Sequence, residues 1–189
     1  MNFAAVTPHH RRSIRLKGYD YTAEGGYFIT IVTSERKNLF GEIINGEMQP
    51  NPLGEIAREE WFRSAVIRPY IELFADEFVV MPNHIHGIIW LVGRGTARRA
   101  PTDGIPMVEQ FGKPVTASIP TIVRAYKSAV TKRINVLRNT PSSLVWQRNY
   151  FEQIITTDRE YDSIAEYIFA NPQNWGVDRE KSTGQTFNP

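Results

Sequence analysis

The chain has 189 residues, 41% hydrophobic and 22% charged, which is the balance of an ordinary globular domain with one core. It contains no cysteine, which excludes disulfides, thiolate metal sites and cysteine nucleophiles. A net charge of +2 permits a nucleic-acid partner without indicating one. Because neither a signal peptide nor an apolar run of membrane-spanning length is present, we expect a cytoplasmic protein that does not enter the membrane.

The first part of the chain predicts a basic arm, a strand and a small hairpin. Residues 1–20 read as an irregular arm that carries four cations, Arg11, Arg12, Arg15 and Lys17. The run Tyr27–Thr33 is rich in aromatic and β-branched residues, which predicts a central strand. The turn residues Asn45 and Gly46 predict a hairpin around residues 43–48.

A capped helix and a second hairpin follow. Asn51 and Pro52 are suited to the cap and first position of a helix that ends before Pro69. Residues 76–91 then read as two apolar runs joined by a Pro-Asn turn. The second run opens with His84 and His86, whose side chains share one face because successive strand residues alternate.

The remainder predicts a long loop, a helix, a strand and a last helix. Glycine and proline recur through the loop at residues 93–117. An apolar stripe then runs from the candidate cap Ser118 to Leu137, with Lys127 and Lys132 on the polar face. Residues 144–157 predict a strand, and the last helix begins with Asp158 as its cap and ends at Asn171-Pro172. We therefore expect a core domain over residues 21–175 and a loose tail over residues 176–189.

Without the last helix, the predicted order is βαββαβ. This is the split unit of a ferredoxin-like α+β fold, an antiparallel sheet with helices on one face. The last helix is an addition to that unit.

His84 and His86 supply half of a metal site. Because the other two histidines lie in the arm, a third ligand would be an oxygen donor, which favours Mg²⁺ or Mn²⁺ while zinc stays open. The alternative is that both histidines are polar residues on a solvent-facing strand. Spacing alone supports that alternative equally well.

The last helix places Tyr167 and Asn171 one turn apart on one face. A tyrosine hydroxyl is a covalent nucleophile toward a phosphodiester held on a divalent cation, and an asparagine carbonyl is the kind of oxygen ligand that is missing. The structural alternatives are an amphipathic helix residue for Tyr167 and a helix terminator for Asn171. A tyrosine ordinarily has a pKa of about 10, so it needs a proton acceptor at neutral pH, for which a metal-bound water and Glu166 are candidates.

These residues also carry a family resemblance. The segment Met81–Gly87 resembles the histidine–apolar–histidine motif of the HUH single-tyrosine transposases. Other segments resemble the REP-associated tyrosine transposases in particular, namely Arg12–Tyr21, Tyr27–Thr30, Trp146–Tyr150 and Tyr167–Pro172. The resemblance extends from about Arg11 to Trp175 and keeps the order of the family's motifs.

The resemblance implies a single-strand DNA endonuclease and strand transferase. His84 and His86 would bind Mg²⁺ or Mn²⁺, and Tyr167 would form a 5′-phosphotyrosine. Asn171 stands where relatives often carry a glutamine as third ligand. The implied substrate is a palindromic hairpin with a single-stranded guide, and relatives act as monomers or homodimers. The candidate DNA-binding residues are Arg11, Arg12, Arg15, Lys17, Lys127 and Lys132.

The chain departs from the family after Trp146-Gln147. Gln153 and Thr156 stand where relatives carry a histidine and an arginine. This departure favours a first alternative, a domesticated and catalytically weak protein that binds DNA or RNA hairpins. A second alternative is a metal-dependent phosphoesterase with a water nucleophile, but such enzymes require a second His-x-Thr/Ser element that this chain lacks.

Overall fold

The computed structural model describes residue 16, residues 18–93 and residues 115–181, with the side chains of the last helix described through residue 176. The strands are β1 (Gly25–Val32), β2 (Gly41–Ile44), β3 (Glu47–Pro50), β4 (Ile71–Glu72), β5 (Phe78–Met81), β6 (His84–Leu91) and β7 (Phe151–Ile155). The helices are α1 (Pro52–Val66), α2 (Ile119–Arg138) and α3 (Asp158–Lys181).

β6 lies in the middle of a five-stranded sheet. The main path of the sheet is β4-β6-β1-β7, and β5 pairs with the stretch of β6 that contains the two histidines. Every pairing is antiparallel. The chain order β1-α1-β5-β6-α2-β7 within this sheet confirms the predicted ferredoxin-like α+β class, and the β2–β3 hairpin is an addition.

The two faces of the sheet bury two hydrophobic clusters of unequal size. The larger cluster joins the sheet to α1 and α2 and includes Ile29, Ile85 and Ile89. The smaller cluster joins the other face to α3 and consists of Phe28, Ile88, Ile164 and Ile168. Alternation along β6 therefore places His84 and His86 on the face that α3 covers.

The start of α1 is as predicted. Asn51 adopts extended backbone, and its Oδ1 accepts hydrogen bonds from the amides of Leu53 and Gly54. Pro52 occupies the first helical position, where no amide proton is needed.

The end predicted for the last helix is wrong. α3 continues through Pro172 to Lys181, so residues 176–181 of the predicted tail are helical. A proline inside a helix removes one hydrogen bond and crowds the preceding turn. Contacts beyond the proline offset this cost, because Trp175 packs against His84 and Gln173 approaches the β2–β3 turn at Gly46.

Three smaller predictions also need correction. The strand predicted over residues 144–157 is confined to Phe151–Ile155. Ser118 makes no side-chain cap, and its hydroxyl donates to the carbonyl of Val115 instead. The cap of α3 is Thr157 rather than Asp158, because the Thr157 hydroxyl accepts from the amide of Glu160.

Several predicted features lie outside the described residues. These are the arm cations Arg11, Arg12, Arg15 and Lys17, most of the loop over residues 93–117, and the last part of the tail. The end of the arm is described, and there Tyr19 packs against the larger cluster and contacts Tyr21 and Tyr27.

Candidate active site

The Pro82-Asn83 turn holds the start of β6 in a fixed position. Met81 pairs with His84, so the turn between β5 and β6 contains only these two residues. The carbonyl of Asn83 accepts hydrogen bonds from the amide and the hydroxyl of Thr33, both at 2.9 Å. The carbonyl of Pro82 accepts from the amide of Leu39 at 2.7 Å. These bonds join the histidine turn to the segment that follows β1.

The two imidazoles converge through their Nε2 atoms. Nε2 of His84 and Nε2 of His86 lie 2.9 Å apart. Nδ1 of His84 donates to Oδ1 of Asn83 at 2.7 Å, because an amide oxygen can only accept. Nδ1 of His86 shares a 2.8 Å hydrogen bond with the hydroxyl of Thr30. Because His84 donates from Nδ1, its neutral ring carries the proton on Nδ1. Its Nε2 then has a free lone pair that points at His86.

Both histidines are held in the neutral form. Desolvation, together with the positive charge of Arg36, lowers the pKa of His84 to about 4, and the hydrogen bond between His84 and Asn171 opposes this shift by raising the pKa. Desolvation and the neighbouring His84 lower the pKa of His86 well below its usual 6.5. Neutral imidazole is the form that coordinates a metal ion.

α3 supplies a stripe of side chains at intervals of one turn. The hydroxyl of Tyr167 lies 3.3 Å from Nε2 of His86. One turn later, the side chain of Asn171 is 4% exposed and hydrogen-bonded to His84. After another turn, the ring of Trp175 lies 5.8 Å from the ring of His84, centroid to centroid. The stripe therefore places the phenol, the amide and the indole against the histidine pair of the same chain.

Phe28 forms the apolar floor of the site. Its ring stacks on His86 at 5.5 Å and meets the Tyr167 ring edge-on at 6.1 Å. Aromatic packing of this kind restricts the ring orientation of both polar residues and keeps water from one side of His86.

The residues present fit a divalent metal ion. Two ligands on adjacent corners of an octahedron, each about 2.1 Å from the ion, stand about 3 Å apart, which matches the Nε2 separation. The same 2.9 Å separation also fits a hydrogen bond from the Nε2–H of His86 to the Nε2 lone pair of His84. Asn171 adds an oxygen donor, and Asn83 and Thr30 orient the rings from behind. Among the described residues, no cluster of three His, Cys, Asp or Glu side chains could hold a metal.

The two candidate DNA-binding lysines of α2 lie on the other side of the sheet. α2 packs on the face opposite the histidines, and the Lys127 ammonium donates to the carbonyls of residues 147–149. Desolvation lowers the pKa of Lys127 to about 8. Lys127 thus holds the segment that leads into β7. Lys132 lines an open groove beside Trp146 and Arg148.

The departures from the family pattern occupy two different environments. Gln153 pairs with Phe28, so its side chain lies on the α3 face of β7. The amide and hydroxyl of Thr156 both donate to Glu160 at 2.8 Å and help to start α3. Glu166, one of the two candidate proton acceptors, is exposed on α3.

Sequence reasoning missed Thr30, Arg36 and Trp175 as neighbours of the site. Thr30 pairs with His86, a register that only the folded sheet defines. Trp175 follows Asn171 at helical spacing, so it was detectable once the helix was allowed to pass through Pro172. No sequence pattern singles out Arg36.

Comparisons with known proteins identify one family and one fold. No family model matches the chain. An uncharacterised protein of Haemophilus influenzae is 41% identical over 171 residues, which span 90% of this chain and 93% of that protein. The structure of a REP-associated tyrosine transposase bound to a REP hairpin aligns with a TM-score of 0.51 at 19% identity, over 88% of this chain and 74% of that one.

A second structure aligns less closely. A proposed transposase of Deinococcus radiodurans gives a TM-score of 0.42 at 19% identity, over 84% of this chain and 98% of that one. In the part of the chain that the structure describes, no helix is both long and apolar enough to cross a membrane. The chain therefore belongs to one family with the Haemophilus influenzae protein and has the fold of the REP-associated tyrosine transposases.

Proposed function

We propose that this protein is a single-stranded DNA endonuclease and strand transferase that works through a 5′-phosphotyrosine at Tyr167. The observation that carries the proposal is the convergence of the Tyr167 hydroxyl and both histidine Nε2 atoms on one point, with 3.3 Å and 2.9 Å separations. Metal-assisted phosphoryl transfer requires a nucleophile next to the residues that bind the cation, and Tyr167 would stand in that position.

Strand transfer consists of one chemical step, the attack of Tyr167 on the phosphate, followed by the reverse of that step with a second strand. Oη of Tyr167 forms a bond to the scissile phosphorus while the bond from phosphorus to the 3′-oxygen breaks. The proton lost by the phenol is balanced by the proton gained by the released 3′-hydroxyl. Because the tyrosyl phosphodiester conserves the bond energy, a second 3′-hydroxyl can reverse the step and join two strands without a nucleotide cofactor.

His84, His86 and Asn171 would hold Mg²⁺ or Mn²⁺. A bound divalent ion would withdraw charge from the non-bridging phosphate oxygens. The fixed rings of the histidines orient this site, and the apolar ring of Phe28 keeps bulk water from His86. Exclusion of water favours transfer to Tyr167 over hydrolysis.

We propose hairpin DNA with a single-stranded flank as the substrate. The solved transposase of the same fold is bound to a REP hairpin, which supports this choice. The arm cations Arg11, Arg12, Arg15 and Lys17 remain our candidates for contacts with the guide strand, together with Lys132 on the groove of α2. Because Tyr167 and the histidines meet within one chain, we expect a monomer to suffice.

The test is covalent capture. The protein is incubated with end-labelled hairpin oligonucleotides of randomised flank in the presence of Mn²⁺ and then analysed on a denaturing gel. We expect a protein–DNA adduct that survives SDS, is lost with EDTA and is absent from Tyr167→Phe. The matched control is Tyr161→Phe on the same helix, which should still form the adduct because its hydroxyl donates to Glu77 instead.

Two outcomes would replace the proposal. Cleavage without an adduct in the unmodified protein would indicate a metal-dependent phosphoesterase with a water nucleophile. Tight binding with neither cleavage nor an adduct would indicate a hairpin-binding protein. The presence of Gln153 on the catalytic face, where relatives carry a histidine, is the observation that favours this second candidate.

A further inference from the structure

Two side chains beside His84, the ring of Trp175 and the cation of Arg36, have no role in the proposed transfer chemistry. The ring of Trp175 lies beside the imidazole of His84, tilted by 31° at a centroid distance of 5.8 Å. Trp175 is half-buried, and its chain neighbours Asn174 and Gly176 are exposed, so the indole lies at the rim of the site.

The path of α3 indicates that the position of Trp175 is maintained at a cost. A helix that ended at Asn171 would satisfy the Tyr167 and Asn171 contacts and would avoid a proline in its interior. A proline in a helix interior is unfavourable because it lacks an amide proton and crowds the preceding turn. The additional turn brings the indole onto His84.

The cation is Arg36, which is exposed and whose charge acts on His84. Arg36 and the preceding Glu35 have φ values of 53° and 57°, a left-handed conformation that is unfavourable for non-glycine residues. The turn is fixed from both sides, because Asn83 Nδ2 donates to the carbonyl of Arg36 and the Arg36 amide donates to Thr33. The Asn83 side chain therefore joins the two groups, since it is hydrogen-bonded to both the Arg36 carbonyl and the His84 ring.

We propose that Trp175 and Arg36 form a subsite for the nucleotide next to the scissile phosphate. The indole of Trp175 stacks on the base, and the guanidinium of Arg36 pairs with the phosphate of that nucleotide. Stacking on an aromatic ring tolerates any base, so this subsite contributes affinity and strand position rather than sequence selection. The inference rests on the proposed function, since it assumes that a single strand crosses the histidine pair.

Fluorescence titration tests whether a base stacks on Trp175. The full chain carrying Tyr167→Phe, which prevents cleavage, is titrated in Mg²⁺ with oligothymidylate and with an abasic strand of equal length. We expect oligothymidylate to quench the tryptophan emission and the abasic strand to leave it unchanged. Most of the quench should disappear in Trp175→Phe, because Trp61 and Trp146 are buried and the Trp90 ring packs against Tyr161.

Affinity measurements complete the test. Trp175→Ala should weaken binding of oligothymidylate about tenfold and leave binding of the abasic strand unchanged, whereas Trp175→Phe should retain most of the affinity. The matched control is Phe169→Ala, an aromatic on the same helix that is 77% exposed and outside the stripe. Arg36→Gln should weaken binding of both strands and reduce the slope of log K against log salt by about 0.7, while Arg124→Gln on α2 should leave the slope unchanged.

The outcomes separate the subsite from the proposed function. Equal affinity of Trp175→Ala and the unmodified chain for oligothymidylate, or an unquenched tryptophan emission at saturation, would overturn the subsite even if the covalent adduct forms. The expected quench and affinity losses without any adduct would support the subsite and reject the tyrosine chemistry. Thermal melting of each variant confirms that the comparison is made between folded proteins.

Discussion

At the scale of single residues, the site depends on groups that hold the imidazoles from behind. Asn83 accepts from His84, donates to the carbonyl of Arg36, and its own carbonyl accepts from Thr33. One side chain and its backbone thus determine the tautomer of His84, which we propose as a metal ligand, and the position of a neighbouring turn. The hydroxyl of Thr30, on the adjacent strand, holds Nδ1 of His86 at 2.8 Å.

Replacement of Asn83 should therefore weaken metal binding without removing a ligand. Asn83→Ala frees the His84 ring to rotate, and loss of such a partner typically reduces metal affinity by about 10-fold to 100-fold. Isothermal titration with Mn²⁺ measures this, with Asn139→Gly as the asparagine control, because Asn139 ends α2, which packs on the opposite face of the sheet. Unchanged Mn²⁺ affinity in Asn83→Ala would show that the ring is held by packing alone.

The lowered histidine pKa values predict an acid-sensitive fold. In the folded chain the pKa of His84 is about 4 and that of His86 is also below 6.5, whereas an unfolded chain has both near 6.5. Between about pH 6.5 and pH 4 the unfolded state binds more protons, so the free energy of unfolding should be constant above this window and decrease as the pH falls through it.

Urea unfolding in EDTA at pH 7.5 and pH 5 measures this dependence. The double variant His84→Gln, His86→Gln is the control and should lose less stability between the two pH values. An equal loss in the control would assign the pH dependence to other groups.

At the scale of elements, a buried carboxylate joins α3 to the sheet. Glu77 is 4% exposed and accepts from Trp90 Nε1 at 2.7 Å and from the Tyr161 hydroxyl at 2.8 Å. The bond to Glu77 raises the pKa of Tyr161 to about 12, so Tyr161 remains a donor throughout the physiological range. This bridge holds α3 two turns before Tyr167.

Glu77→Gln should loosen α3, because a glutamine amide presents donors to a site that already contains two donors. We expect a loss of about 1–3 kcal/mol in the free energy of unfolding, as for a buried polar group left without a partner. A double-mutant cycle with Tyr161→Phe measures the coupling. Additive losses in the two variants would mean that the bridge does not act as a unit.

The elements differ in how far local patterns determined them. The Asn51-Pro52 start of α1 and the histidine hairpin were predictable because their causes are local, namely a cap, a proline and strand alternation. The continuation of α3 was not, because contacts of Trp175 and Gln173 with distant segments outweigh the local effect of Pro172. In the site, spacing indicated the His84–His86 and Tyr167–Asn171 pairs separately, but their meeting depends on the side of the sheet on which α3 packs.

At the scale of the whole molecule, each chain brings together the tyrosine and the two histidines that we propose as site residues. The Tyr167 hydroxyl approaches His86 of its own chain, and Asn171 approaches His84 likewise. The order β1-α1-β5-β6-α2-β7 leaves one face of the sheet to α3, the helix that follows β7 in the described part of the chain.

A mixing experiment tests whether the site is completed within one chain. His86→Ala and Tyr167→Phe are each expected to lack adduct formation, and a mixture of the two should remain inactive, since neither chain holds both groups. Recovery of adduct in the mixture would show that the tyrosine acts across a dimer. The unmodified protein diluted with either variant provides the reference for adduct yield.

The unequal size of the two hydrophobic clusters affects thermal inactivation and amide hydrogen exchange. Residues that hold α3 form a far smaller buried cluster than those that hold α1 and α2. Segments with few buried contacts open locally at a lower free energy than the whole domain. Amide protons of α3 should therefore exchange before those of β1 and β6, and adduct formation should fail at a temperature at which the central strands are still intact.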